Sequence, residues 1–403
     1  MTTITGTAAA EALVGTNDSD ILVGLAGNDT LDGGAGSDLA DYRQSPAAVI
    51  VNLAAGTASD GYGGTDKLIS IEQAVGSEYD DTLTGDAAGN YLAGFGGNDN
   101  IVGGDGEDVL AGQWGDDTLV GGAGHDVLLP GDGRDVVDGG DGFDTVDYGD
   151  LAFGIGADLY SGSWKDSFRS IENINGSAYA DNFLGDWTDN VLNGNGGDDS
   201  LNGREGGDRI SGGDGNDTIE GGDGQDYLRG DAGDDVITGG AAFDDINGNM
   251  GSDTANGGAG DDWVVGGKDN DLLFGDEGDD IVYGNIGDDT CQGGVGADLL
   301  RGGQGNDTVS GGDGADWVSG DRGDDTMSGG AGADIFHTFG DAGLDRVIDF
   351  NFAEGDRVQL DPGTTYTYAQ SGADVVITMG GGGQMILVGV DVGTLGSGWI
   401  FGA

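Results

Sequence analysis

Nine residues recur through most of this chain in one form, Gly-Gly-x-Gly-x-Asp-x-hydrophobic-x, as in Gly212-Gly213-Asp214-Gly215-Asn216-Asp217-Thr218-Ile219-Glu220. The register is unbroken over 15–41, 76–147 and 176–337, which hold three, eight and eighteen repeats. A fixed period of this kind means stacked units, each too small to bury a face alone. Glycines at positions one, two and four permit positive φ in a tight turn and leave carbonyl oxygens unshielded. The last three positions alternate outward, inward, outward, as a very short strand does. Position eight is never polar, running from Leu22, Leu31 and Ala40 through Leu83 and Leu92 to Met327 and Phe336.

Position six is aspartate in every repeat but two, where Asn90 and Asn190 stand. The candidate ligands are therefore Asp20, Asp29 and Asp38 in the first block, and Asp81, Asp99, Asp108, Asp117, Asp126, Asp135 and Asp144 in the second. The third block contributes Asp181, Asp199, Asp208, Asp217, Asp226, Asp235, Asp244, Asp253, Asp262, Asp271, Asp280, Asp289, Asp298, Asp307, Asp316, Asp325 and Asp334. Turn capping explains an occasional aspartate. One register filled this consistently demands a shared role. Carboxylates and bare carbonyls are hard oxygen donors that suit Ca2+, whereas Mg2+ keeps its waters and zinc or copper prefers nitrogen and sulfur.

Composition reads either as disorder or as a fold completed by a polyvalent cation. The 403 residues include 91 glycines, and 75 acidic against 13 basic side chains give a formal charge of −62. Ordering such a chain costs roughly 1 to 2 kcal/mol per residue in backbone entropy, set against about one large apolar side chain per repeat. The carboxylates also repel one another. Roughly one Ca2+ per repeat removes most of that repulsion, so folding and metal binding are expected to be one event. The two asparagines follow the breaks at 42–75 and 148–175, and a site is expected to be weakened or lost there because an amide is the poorer ligand.

Other classes drop out. Three prolines and no three-residue glycine period exclude collagen. No apolar run of about 20 residues is present to span a membrane as a helix. Met1 to Gly15 lacks a basic start and a long apolar segment, so no N-terminal secretory leader is expected. Nucleic acid is not an expected partner of so acidic a chain. The single cysteine, Cys291, occupies position eight and reads as a small buried hydrophobe.

These repeats resemble the RTX, or haemolysin-type, calcium-binding nonapeptide family. The resemblance implies an all-β fold, a right-handed parallel β-roll in which two repeats make one 18-residue coil. Calcium then lies between stacked turns, shared by Asp217 with Asp235 and by Asp226 with Asp244, and backbone carbonyls complete each shell. It also implies export by a type I route, with the tail 338–403 as a C-terminal β cap and secretion signal ending near Trp399-Ile400-Phe401. The protein is then expected to be secreted, extracellular or bound to a cell surface.

The expected organisation is an N-terminal end and first roll block at 1–41, an insert at 42–75, a second block at 76–147, an insert at 148–175, a long block at 176–337, and the cap at 338–403. The two inserts are copies, since Asp66-Lys67-Leu68-Ile69-Ser70-Ile71-Glu72 matches Asp166-Ser167-Phe168-Arg169-Ser170-Ile171-Glu172. They are expected to close one roll and start the next. Separating alternate repeats gives two unlike outer faces at position seven. One is rich in threonine, with Thr218, Thr254, Thr290, Thr308 and Thr326, and the other holds Tyr227, Trp263, Ile281, Leu299 and Trp317. Large apolar groups aligned along a ladder form a candidate contact face for self-association, a polysaccharide or a cell surface. The interrupted threonine column speaks against ice binding.

No enzyme is expected. His125 and His337 are the only histidines and cannot form a His-Glu-x-x-His site, and no Gly-x-Ser-x-Gly elbow occurs. The function expected is that of a secreted calcium-binding repeat protein acting in a matrix, in adhesion or at the cell surface. A calcium-dependent membrane-active or signalling protein is the alternative, and an enzyme with an unrecognised site in the inserts is the second.

Overall fold

A computed structural model describes residues 1–162 and 165–402; two residues of the second insert and the last residue of the tail lie outside the described residues. The chain forms two compact units, Met1–Ala178 with Asn182–Gly185, and Tyr179–Asp181 with Asp186–Ala403. Both are parallel β-solenoids. Among the described residues the only helical segment is a short 3-10 turn, Val392–Thr394, and no helix is long and apolar enough to cross a membrane.

In the second unit, strands of alternate repeats build two sheets. Val191–Gly196 pairs with Arg209–Asp214, and that strand with Tyr227–Ala232, each residue opposite the one 18 positions on. Ser200–Glu205, Thr218–Asp223 and Val236–Ala241 repeat the pattern in the other sheet. One coil is thus two nonapeptides. Position-eight side chains from both sheets meet between them, and Ile219, Leu228, Ile237 and Ile246 are buried, as are Ala255 and Cys291. The core is one side chain wide per strand. Coils therefore gain stability chiefly from their neighbours along the axis.

The strands run beyond the three residues read from the pattern, because positions one to three of the next repeat continue the ladder, as Asn195 opposite Gly213 shows. Position two turns through positive φ even where it is not glycine, as at Asn195 (71°), Asp231 (76°) and Asn249 (77°).

The first unit starts earlier than the motif does. Thr2–Thr5 pairs with Asp20–Val23 and Ala12–Val14 with Thr30–Asp32, both 18 residues apart, so a degenerate coil precedes the first recognisable repeat. The first insert continues both sheets instead of closing a roll. Its strand Thr65–Ile69 joins Thr30–Asp32, and Ile50–Asn52 joins Thr82–Thr84. Between them Thr57–Ser59 pairs antiparallel to both. Gln73–Val75 bridges Leu39–Asp41 to Tyr91–Gly96 in the other sheet. In the second insert, Ser167–Arg169 extends the sheet of Val136–Asp141, and Asn173–Asn175 extends that of Thr145–Asp147.

The tail follows the strand pattern of its sequence. Arg357–Leu360 adds to Ile335–Thr338, Leu344–Val347 adds to Thr326–Gly332, and Gln384–Leu387, Asp374–Met379 and Tyr366–Ser371 follow outward, the last two pairs antiparallel. Trp399 is buried against Tyr368, and Ile400–Phe401 pairs with Arg357–Leu360.

Candidate calcium-binding ladders

All 27 position-six aspartates are buried, as are Asn90 and Asn190. The turn glycines put them there. A methyl group placed on Gly212 would lie 2.1 Å from Asp217 Oδ2, and one on Gly221 would lie 2.3 Å from Asp226 Oδ2 and 2.7 Å from the Gly239 carbonyl oxygen. The carboxylate thus folds back over the bare Cα of its own turn, beside a carbonyl of the next coil.

The aspartates stack into ladders. The N–H of Asp199 donates to Asp217 Oδ1 (2.8 Å), Asp217 to Asp235 (2.8 Å) and Asp226 to Asp244 (2.9 Å), and the same bond recurs coil after coil. Oδ1 is therefore used. Oδ2 is not: in 24 of the 27 aspartates it is buried without a hydrogen-bond partner. An orphaned buried acceptor costs about 1 to 3 kcal/mol, more when charged. Rows of such atoms within each repeat block, with a next-coil carbonyl beside the turn as at Gly221 and Gly239, fit a hard cation. Among the described residues no three acidic, histidine or cysteine side chains converge on one point. The donors on offer to a cation here are carboxylates one coil apart and carbonyl oxygens.

Crowding these groups raises their pKa values. Burial, then neighbouring aspartates, pushes Asp244 and Asp271 up to about 8. The same causes bring Asp99 and Asp235 to about 7. Ligation requires the ionised form, so binding a cation here releases protons.

The ladder ends are sealed by the protein itself. At the start of the first block, Thr16 stands at position two, and its N–H (2.6 Å) and hydroxyl (2.8 Å) both donate to Asp20 Oδ2. These bonds hold the Asp20 carboxyl below its usual range. Ser77 donates likewise to Asp81, its N–H to Oδ2 and its hydroxyl to Oδ1 at 2.9 Å, although burial still raises the pKa of that carboxyl. Asp181 opens the third block with Ser177 at the equivalent position. In the second repeats of the later blocks, Asn90 and Asn190 accept the N–H of Asp86 (2.7 Å) and Asp186 (2.9 Å). The oxygen of the neutral amide is satisfied by its own turn. Ser77→Ala removes a donor from a buried carboxylate, and a loss of about 1 kcal/mol is expected. It should appear as a lower Tm at saturating calcium with unchanged stoichiometry; an unaltered Tm would count against the sealing role.

At their far ends the ladders of the first unit close on residues that the repeat pattern does not contain. Asp29 donates to Asp66 Oδ1 (2.9 Å) and Asp135 to Asp166 Oδ1 (2.9 Å), while the Tyr42 and Tyr148 hydroxyls donate to the second oxygens at 3.2 and 2.8 Å. Asp38 and Asp144 donate to Glu72 and Glu172 (both 2.9 Å). The Lys165 ammonium donates to the Gly131 carbonyl. These residues carried a signal in the sequence, since Asp66, Glu72 and Tyr42 recur as Asp166, Glu172 and Tyr148 in the two inserts.

The candidate contact face is partly occupied. Tyr227 lies under the Arg229 guanidinium, 3.4 Å from the ring centroid, and Arg229 is paired with Asp245 at 2.9 Å. Trp317 is half-buried, stacks on His337 at 4.9 Å and donates to Gln359 Oε1 of the tail at 3.0 Å. Ile281 and Leu299 are half-buried, and Trp263 is 43% exposed. His125 accepts the Phe143 N–H at 2.9 Å. Neither histidine belongs to a metal-ligating cluster among the described residues.

The sequence matches the profile of the RTX calcium-binding nonapeptide repeat in overlapping copies over 5–40, 75–146 and 170–338. No curated protein matches it. Among solved structures, the crystal structure of the extracellular lipase LipA from Serratia marcescens aligns over 46% of this chain and 41% of that chain, at 18% identity and a TM-score of 0.21. The chain spans less than half the length of that lipase. The profile covers well over half of the chain, and the chain belongs to the RTX family of calcium-binding nonapeptide-repeat proteins.

Proposed function

We propose that this is a secreted protein that stays extended where calcium is scarce, folds where it is plentiful, and then serves as a structural component of a matrix or cell surface. What supports it is the set of ladders in the three repeat blocks, whose 24 orphaned Oδ2 atoms leave the fold incomplete without a cation. On this reading roughly one Ca2+ per repeat fills the interior turns, and the sealed ends take none. Sites built of one carboxylate per turn and carbonyls belong to the weak class, about 10⁻⁴ to 10⁻³ M, filled outside cells and empty within. Far-UV circular dichroism against free calcium, with hydrodynamic size measured in parallel, tests it. A cooperative gain of strand signal with compaction is expected, and a strand signal that persists in excess chelator at pH 8 would discard the idea.

The exposed Trp263, with Met250 and Ile286 on the same sheet, both about half exposed, is the part of the aromatic face left open for contact. Trp263→Thr is expected to abolish concentration-dependent association of the calcium-loaded protein while leaving its fold unchanged. Identical sedimentation of the two proteins across a hundredfold concentration range would remove this face from the account.

A further inference from the structure

One carboxylate outside the nonapeptides is as poorly satisfied as those within them. Asp345 lies in the tail strand Leu344–Val347, which pairs with Thr326–Gly332 so that Thr326 faces Arg346, a step of 20 residues instead of 18. Asp345 is thereby stacked on Asp325, the final aspartate of its ladder, although it sits two residues beyond where the motif would place an aspartate. It is 1% exposed, and its Oδ1 has no hydrogen-bond partner. Asp325 Oδ2 has none either. The register places the two residues opposite each other on adjacent coils. The Thr338 hydroxyl donates to Asp345 Oδ2 at 3.1 Å, and Thr338 stands where a further repeat would have its first glycine.

The other ladder of this unit ends differently. Asp334 donates to Asp356 Oδ1 at 3.2 Å, but the Asn351 N–H occupies Asp356 Oδ2 at 2.7 Å. Asp356 is sealed by a protein donor, as Asp66 and Asp166 are. Asp345 alone among these terminal aspartates keeps a free oxygen, and that oxygen belongs to a fully buried side chain facing a second carboxyl group. Two carboxylates and a hydroxyl from adjacent coils are hard donors of the kind Ca2+ takes.

We propose that Asp325, Asp345 and Thr338 Oγ1 form a calcium site outside the repeat pattern, and that the ion held there pins the C-terminal cap to the end of the roll. The inference rests on the calcium reading of the ladders. It makes docking of the tail depend on the ion as well as on strand pairing, because Asp345 belongs to the strand on which Gln384–Leu387 and Asp374–Met379 are built.

Crystals of the full chain grown in calcium and soaked in terbium test it through anomalous scattering. A peak between Asp325 and Asp345 is expected beside those between stacked aspartates such as Asp217 and Asp235. Peaks along the repeats with none at Asp345 would overturn the tail site and leave the calcium reading standing; no peaks anywhere would overturn both. In Asp345→Asn, hydrogen exchange at saturating calcium should accelerate on the order of tenfold in residues 366–387, with the repeats unchanged. Unchanged exchange in the tail of that variant would equally overturn the pinning role.

Discussion

In excess chelator at pH 8 the chain is expected to lose its strand signal and expand, and to recover much of both when the same solution is brought to pH 5. The cause is the raised pKa of the buried carboxyls. In the unfolded chain an aspartate titrates near 4, whereas in the fold burial and stacked neighbours bring Asp108 to about 6, Asp235 to about 7 and Asp271 to about 8. Each such group binds its proton more tightly when folded, so protonation favours the metal-free fold. That contribution is complete below about pH 4 and is lost as the pH rises through 6 to 8. With calcium present the dependence reverses, because ligation needs the ionised carboxylate. The free calcium at the folding midpoint should rise as the pH falls through the same window, with protons released on binding. A chelated chain equally disordered at pH 5 and pH 8 would mean that these carboxyls are not buried in a common array.

The second large effect is expected from one methyl group. In Gly239→Ala the new carbon would stand 2.4 Å from Asp244 Oδ2 and 2.5 Å from the Gly257 carbonyl oxygen, between the two kinds of oxygen that face the cation. Neither can retreat without leaving the ladder. Loss of a calcium ion and of about 2 to 4 kcal/mol is expected, read as stoichiometry by equilibrium dialysis and as Tm at saturating calcium. The adjacent Gly240→Asn should be nearly neutral. Position two has positive φ here (128°), but asparagine already holds that place at Asn195, Asn249 and Asn285 by settling near 75°. Equal damage from both substitutions would show that glycine serves the turn and not the cradle. The one departure from glycine at position one is Pro130, in the coil where Lys165 approaches the Gly131 carbonyl and the ladder ends on Asp166.

The interior of the rolls was legible because each repeat states its own turn, ligand and core residue without reference to distant positions. Asp217 and Ile219 could be placed from nine residues. The ladder ends could not, because they depend on residues brought together over other distances: 37 for Asp29 and Asp66, 31 for Asp135 and Asp166, 20 for Asp325 and Asp345. Such offsets are invisible to a search in one register. The duplicated inserts displayed Asp66, Glu72 and Tyr42 beside their counterparts, but likeness between copies does not say what a residue touches. The aromatic column was legible as a column, yet the Arg229 side chain over Tyr227 and the tail glutamine at Trp317 come from neighbouring columns and from 42 residues away. Strand parity alone does not report them.

The ladder hydrogen bond also has a polarity. Within the ladders the aspartate N–H donates toward the coil that follows it in sequence, and Oδ1 accepts from the coil before, as at Asp217, Asp235 and Asp253. Each turn is thus templated by its C-terminal neighbour. Trimming coils from the N-terminal side leaves a carboxylate that water can satisfy at the new end. Trimming from the other side strips the acceptor from a buried N–H and removes the surface against which the preceding turn is shaped. Damage should therefore propagate along the axis in one direction, toward the N-terminus, from wherever a coil is lost.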